Sequence, residues 1–136
     1  MSVRRAKDGF KTGGRGNAEY QDIYAAGVDL AGIHLWGNSI NKEDVSFQAS
    51  SISSIDKWKS PVLLIHGDDD PNVAFSQTTG LVQLLRAKGV YYELIVYPDD
   101  AHDSLLYQRW LKSFRATDDF FKRFILKEQP VTAGAR

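Results

Sequence analysis

The chain lacks cysteine, net charge and any long apolar run. The absence of cysteine excludes disulfide bridges, thiolate zinc sites and cysteine nucleophiles. The 17 basic residues balance 17 acidic ones, which argues against a nucleic-acid partner bound through phosphate electrostatics. No apolar stretch approaches the roughly 20 residues needed to span a bilayer. We therefore expect neither a nucleic acid nor a membrane among the partners of this protein.

The first ten residues, MSVRRAKDGF, are basic and have no apolar segment of the kind found in secretory signals. Together with the absence of cysteine, this predicts a soluble, cytoplasmic protein for the chain as it stands. A longer parent protein could be periplasmic or secreted. The 136 residues are enough for one domain.

Composition divides the chain into three parts. Residues 1–17 are basic and rich in glycine, without hydrophobic periodicity, and this is typical of a flexible tail. Residues 18–128 carry the apolar patterns of a folded unit, and residues 129–136 are expected to fray. Only the central part is predicted to form a domain.

Apolar runs and their stop signals predict alternating helices and strands. Pro61 opens the run PVLLIHG, which is typical of a parallel strand buried on both faces. The predicted elements are a helix over 18–27, a strand over 28–35, a loop over 37–60 with one helical turn, a strand over 61–67, a helix over 76–89, a strand over 90–98 and a helix over 104–126. This order predicts an α/β fold with about three parallel strands flanked by helices.

The last predicted helix is the longest. Its apolar residues recur every three to four positions, which predicts one buried face made of Leu106, Trp110, Phe114, Phe121 and Ile125. Asp103 or Ser104 is the expected N-cap, because short polar side chains accept hydrogen bonds from the first free amides of a helix.

Polar residues with catalytic potential follow the predicted strands. Asp68–Asp70 follow the second strand, His102 follows the third, and His34 lies near the end of the first. The carboxyl ends of neighbouring parallel strands lie at one edge of the sheet, so an aspartate and His102 are expected to meet there. Such a pair supplies the base of a hydrolytic triad and the carboxylate that orients it.

The acidic cluster has two other interpretations. Asp68–Asp70 could form a solvated turn or cap the next helix. A calcium loop starting at Asp68 is excluded, because Val73 and Thr79 stand where glycine and glutamate are required. No metal or cofactor is expected.

The segments PVLLIHGDDDPNVAFSQT and YELIVYPDDAHD, with the helices beside them, resemble the C-terminal part of the prolyl oligopeptidase family from about Asp22 to Leu126. This resemblance implies a partial α/β-hydrolase fold and peptide or small ester substrates in the complete enzyme. Its motif His-Gly-x-x-Asp-x-x-Val places the triad aspartate on Asp70, and His102 takes the place of the catalytic histidine. The resemblance also implies that Trp36, Asn72 and Val73 lie near the substrate pocket.

This chain departs from the family at two positions. Asp103 follows the histidine, where the family commonly has glycine. The nucleophile motif G-x-S-x-G, which precedes the aspartate in α/β-hydrolases, does not occur in the sequence. Ser39, in GNSIN, has the wrong closing residue, and Ser50, Ser51, Ser53 and Ser54 are predicted to be loop serines.

Three hypotheses follow. The chain is a fragment of a serine peptidase that carries the triad aspartate and histidine but lacks the serine. Alternatively, it is a non-catalytic α/β module that forms a homo-oligomer through the exposed edge or face of its short sheet. A third possibility is a weak esterase that uses an unrecognised serine or His102 directly.

Overall fold

The computed structural model describes residues 2–4, 24–37, 39–104 and 106–127. Four strands form one sheet in the order β1-β2-β3-β4. The strands are β1 (Ser2–Arg4), β2 (Tyr24–Leu30), β3 (Val62–Gly67) and β4 (Tyr92–Tyr97). Strands β2, β3 and β4 are parallel, and β1 pairs antiparallel with β2. The predicted three-strand parallel sheet is therefore confirmed.

The helical elements connect and cover these strands. They are α1 (Val45–Gln48), a 3₁₀ segment (Ser51–Lys57), α2 (Ser76–Ala87), α3 (Tyr107–Phe121) and a π-helical turn (Lys122–Leu126) that continues α3. The segment predicted to be a long loop thus contains α1 and the 3₁₀ segment. Asp44 caps α1 by accepting a hydrogen bond from the Ser46 amide at 2.8 Å.

The central strand β3 is buried on both faces, which explains its unbroken apolar run. Val62 and Leu64 belong to a core cluster with Leu81 and Leu85 of α2. The alternate residues of the strand belong to a second cluster, which includes Phe120 of α3. Because successive side chains of a strand point to opposite faces, one strand fills two cores.

The first predicted helix and strand are wrong in their bounds. Residues 24–27 belong to strand β2 rather than to a helix, and the strand ends at Leu30 rather than at residue 35. Ala26 and Val28 alternate into the core cluster around Phe120, so tertiary burial decides the structure of a stretch whose aromatic spacing also suits a helix. Residues 18–23 of the predicted helix lie outside the described part.

The chain termini bear on the predicted domain bounds. Strand β1, Ser2–Arg4, lies inside the segment expected to be a flexible tail and pairs with β2, because the outer edge of β2 offers unpaired backbone groups. Residues 5–23 and 128–136 lie outside the described residues. The bounds 1–17, 18–128 and 129–136 stay a prediction.

Helix α3 differs from its prediction in start and in buried face. It begins at Tyr107, and Leu106 occupies the N-cap position without a side-chain cap. Leu106 and Phe114 are exposed, whereas Phe120, not among the predicted residues, is fully buried. The helix buries Ser113 and Phe120. Phe121 and Ile125 of the predicted face are partly buried against the core cluster of Phe120, so the buried stripe overlaps the expected one but excludes Leu106 and Phe114.

Candidate active site

The loops after β3 and β4 are joined by hydrogen bonds that extend the parallel ladder beyond the strands. The Asp68 amide donates to the Tyr97 carbonyl, and the Asp69 amide donates to the Asp100 carbonyl, both at 3.2 Å. The Asp68 side chain also accepts a hydrogen bond from the Asp99 amide at 2.8 Å. Asp68 therefore shapes the junction, as the turn interpretation of the acidic cluster predicted for it.

Gly67 lets the two loops approach each other. A Cβ atom at this position would lie 2.3 Å from the carbonyl oxygen of Asp100, which belongs to the backbone. Since real Cβ atoms do not come so close to backbone oxygens, any other residue here would push the loop of His102 away from β3.

Asp70 and His102 meet at this edge of the sheet, as expected from the sequence. Nδ1 of His102 lies 2.7 Å from Oδ2 of Asp70. The carboxylate is completely buried, and the imidazole is 31% exposed. Because an ionised carboxylate can only accept, Nδ1 carries the shared proton, and the lone pair of the neutral ring is then on Nε2. This is the tautomer that a general base needs.

The Asp70 carboxylate is surrounded by donors. Oδ1 accepts hydrogen bonds from the Asn72 and Val73 amides, each at 2.8 Å. Burial is the largest effect and raises the pKa, but the bonds from Val73, His102, Asn72 and His66 together outweigh it and lower the pKa from 3.8 to about 2. Asp70 is therefore ionised at neutral pH.

His66 is a site residue that the sequence reasoning missed. Its Nε2 lies 3.0 Å from Oδ2 of Asp70, the same oxygen that contacts His102. The only signal in the sequence was its place in the His-Gly-x-x-Asp motif, where it was interpreted as the end of a strand.

An ion pair fixes the far side of the His102 loop. Nη1 of Arg109, in α3, lies 2.8 Å from Oδ2 of the buried Asp100. Burial raises the pKa of Asp100, but the hydrogen bonds from Arg109, Ser104 and the Ala101 amide outweigh it and lower the pKa. Arg109 also donates to the Pro98 carbonyl at 3.1 Å. The loop is thus held to β3 on one side and to α3 on the other.

A small cavity lies beside His102. Its volume is about 40 Å³, and its lining includes His102, Tyr97, Asp100, Trp110 and Leu30. That is room for a few water molecules, whereas ligand pockets usually enclose roughly 300–1,000 Å³. Larger hollows of about 520 and 360 Å³ lie around Ile40, Ile52 and Leu84, and neither Asp70 nor His102 lines them. The described residues beside His102 therefore do not enclose a cavity of the size that ligand pockets usually have.

A second group of catalytic residue types lies after β2 but is closed to substrate. Nε2 of His34 lies 3.1 Å from Asp29, and its Nδ1 lies 3.2 Å from the Ser51 hydroxyl. All three residues are buried: Asp29 is 5% exposed, His34 is 1% exposed and Ser51 is 4% exposed. Burial raises the pKa of Asp29, but the contact with His34 and the hydrogen bond from the Gly32 amide outweigh burial and lower the pKa below its ordinary value. These contacts stabilise the segment after β2 and do not form a surface site.

The residues expected to bind substrate occupy two places. Asn72 and Val73 lie beside Asp70, and each donates its backbone amide to the carboxylate. Val73 is buried, and Trp36 is 50% exposed, with its amide bonded to the Ser50 hydroxyl at 2.7 Å. The role of these three residues in substrate binding stays a prediction.

The described residues also bear on metal binding and on membrane insertion. Among them no group of three or more His, Cys, Asp or Glu side chains is arranged to hold a metal ion. Within the same ranges no helix is long and apolar enough to cross a membrane.

The parallel sheet, the helices on both faces and the aspartate–histidine pair at one edge define a partial α/β-hydrolase fold. The sequence profile of the prolyl oligopeptidase family matches residues 16–128. The chain belongs to the prolyl oligopeptidase family.

Relatives and solved structures agree with this assignment. Dipeptidyl-peptidase 5 of Porphyromonas endodontalis is 31% identical over 111 residues, which cover 77% of this chain and 16% of that protein. Acylamino-acid-releasing enzyme 2 of Oryza sativa is 30% identical over 79 residues, 58% of this chain and 10% of that protein. The uncomplexed acylaminoacyl peptidase of Pyrococcus horikoshii has the same fold, with a TM-score of 0.73 and 18% identity over 85% of this chain and 22% of that one.

The chain spans a small part of each of these proteins, about one sixth of the length of dipeptidyl-peptidase 5 and about one fifth of the Pyrococcus chain. The comparisons thus establish the family and the fold of this chain.

Proposed function

We propose that this chain is the C-terminal part of a serine peptidase of the prolyl oligopeptidase family. It supplies the orienting carboxylate, Asp70, and the general base, His102. The 2.7 Å contact between Asp70 Oδ2 and His102 Nδ1 carries the proposal, because it leaves Nε2 of a partly exposed ring available to take a proton from a serine hydroxyl.

The nucleophile has to come from outside this sequence. The motif G-x-S-x-G does not occur in it, and the buried Ser50 and Ser51 bond to protein groups. Loss of a triad serine costs on the order of a million-fold in turnover, or about 8 kcal/mol of transition-state stabilisation. Asp70 and His102 alone would therefore hydrolyse peptides too slowly to count as a peptidase.

The substrate class follows from the family. Peptides or small esters are the proposed substrates, and the names of two relatives, dipeptidyl-peptidase 5 and acylamino-acid-releasing enzyme 2, support the peptide class. Trp36, Asn72 and Val73 are proposed to border the substrate pocket. We expect the remaining walls of the pocket to come from the part of the protein that carries the serine. The small volume of the cavity beside His102 supports this expectation.

A fluorophosphonate probe, which labels activated serines, tests the missing nucleophile. The 136-residue chain should not be labelled. A chimeric peptidase, in which this chain replaces the matching segment of Porphyromonas endodontalis dipeptidyl-peptidase 5, should be labelled and should cleave peptides. The His102→Ala variant of this chimera should lose both properties. Stoichiometric labelling of one serine in the isolated chain would contradict the proposal.

A second candidate function is a non-catalytic module that works by self-association. It is favoured by exposed apolar side chains, among them Leu106, Tyr107 and Phe114 around the start of α3 and Leu94 on the edge strand β4. This function predicts a homodimer or a larger assembly. Light scattering that shows a stable monomer at micromolar concentration would count against it.

A further inference from the structure

His66 is a buried histidine that the proposed mechanism does not use. It lies in β3 and is 2% exposed. Its Nε2 is 3.0 Å from Oδ2 of Asp70 and 3.0 Å from the Val73 carbonyl oxygen. Both neighbours are acceptors, so Nε2 carries a proton and donates.

Thr78 of α2 fixes the other side of the ring. Its hydroxyl oxygen lies 2.6 Å from Nδ1 of His66, and in the neutral ring the hydroxyl donates to this nitrogen. The ring of Phe75 packs edge-on against His66, with 5.5 Å between ring centroids. Neither the orientation nor the tautomer of His66 is therefore left free.

The two histidines share one oxygen of Asp70. His66 is held inside the core, whereas His102 lies on a loop and its side chain is 31% exposed. The amides of Asn72 and Val73 hold only Oδ1. A carboxylate held at one oxygen can still turn and displace the other, so the contact from His66 determines where Oδ2 lies.

We propose that His66 is a positioning residue: its Nε2–H, oriented by Thr78, holds Oδ2 of Asp70 at the place where Nδ1 of His102 binds. This inference rests on the proposed function, since it concerns the same aspartate–histidine pair. His66 acts through Asp70 and does not contact the substrate.

The test compares two amide substitutions in the 136-residue chain. In His66→Gln the amide nitrogen falls near the position of Nε2 and can still donate to Asp70. In His66→Asn the shorter side chain places its amide near Nδ1, on the side of Thr78. Nitrogen-15 NMR at a pH where His102 is neutral reports which of its ring nitrogens carries the proton.

Wild-type and His66→Gln proteins should show His102 with the proton on Nδ1. In His66→Asn, the tautomer of His102 with the proton on Nδ1 should no longer be the majority form. His34→Asn, which changes another buried histidine that contacts Asp29 and Ser51 instead, should retain it. Equal behaviour of His66→Asn and His66→Gln, or an unchanged tautomer in His66→Asn, would overturn the inference.

A measurement on the wild-type protein decides the matter if His66→Asn does not fold. Because the two rings share Oδ2, the Nε2–H resonance of His66 should shift as His102 is titrated, with the same midpoint. A resonance that stays fixed through that titration would overturn the inference.

Asp70→Asn separates this inference from the proposed function. If Asp70→Asn leaves the tautomer of His102 unchanged, the aspartate–histidine pair itself fails. If Asp70→Asn abolishes the Nδ1–H form while His66→Asn retains it, only the role of His66 fails.

Discussion

At the scale of the residue, Asp70 is both buried and ionised. Its carboxylate accepts from two backbone amides and two histidines, which is what makes a buried charge tolerable. The carboxyl group therefore links the stability of the fold to pH.

The lowered pKa predicts how Asp70 affects acid stability. The pKa is about 2 in the folded protein and 3.8 as the ordinary value. Stability from Asp70 is present above the unfolded pKa and is lost as the pH falls through the folded one. We therefore compare the free energy of unfolding of the wild type with that of Asp70→Asn. The difference between the two proteins should fall by about 2 kcal/mol as the pH is lowered from about 5 to about 2. Denaturant titrations at several pH values measure this difference, and a constant difference would contradict the assigned pKa.

Gly67 offers a second test at this scale. Gly67→Ala should destabilise the protein by about 1–3 kcal/mol, because the new Cβ would meet the Asp100 carbonyl oxygen at 2.3 Å. Gly80→Ala is the matched control, since its Cβ would have no heavy atom within 4 Å and alanine favours a helix by about 0.5–1 kcal/mol. Thermal unfolding compares the two, and equal effects would rule out the close approach of the loops.

At the scale of the element, the apolar sequence of β3 makes much of the fold predictable. The unbroken run over 61–67 is typical of a parallel strand covered on both faces, and the helix and strand that follow end at glycine and proline signals. The predicted meeting of Asp70 and His102 follows from the parallel order of these elements.

Strand β2 and the buried face of α3 are less predictable from the sequence, for physical reasons. Tyr24, Ala26 and Val28 alternate as a strand requires, but aromatic spacing and Gly27 imitate the end of a helix. Phe114 fits the apolar stripe of α3 and yet is 58% exposed. The periodicity of a sequence predicts an apolar stripe, but it does not show which part of that stripe another element covers. His66 could not be recognised because its contact depends on the path of the turn to Asp70.

Gln77 shows how α2 holds the segment after β2. Its side-chain oxygen accepts from the His34 amide at 3.0 Å and the Leu35 amide at 2.8 Å, and its nitrogen donates to the Leu35 carbonyl at 3.1 Å. Gln77→Ala should lower the free energy of unfolding by about 1–3 kcal/mol, because partly buried backbone groups lose their partners. The exposed Gln83 of the same helix is the control, and Gln83→Ala should change stability by less than about 0.5 kcal/mol. Denaturant unfolding that shows no difference between the two variants would contradict this role.

At the scale of the whole molecule, some apolar side chains of the described residues are exposed to solvent. The edge strand β4 exposes Leu94, and α3 exposes Phe114. Under the proposed function these side chains belong to the surface against which the remainder of a longer hydrolase packs. Under the second candidate function they face another copy of the chain, and the oligomeric state distinguishes the two.

The central claim is that Asp70 orients His102 for catalysis. Its most direct test is peptide turnover by the chimeric peptidase with Asp70→Asn and, as the matched control, Asp69→Asn. We expect Asp70→Asn to lower kcat by roughly 10⁴-fold, since His102 loses the acceptor that fixes its tautomer. Asp69 is exposed, and we expect Asp69→Asn to change kcat by less than about threefold, which corresponds to less than about 0.7 kcal/mol. Comparable losses in the two variants would contradict the account.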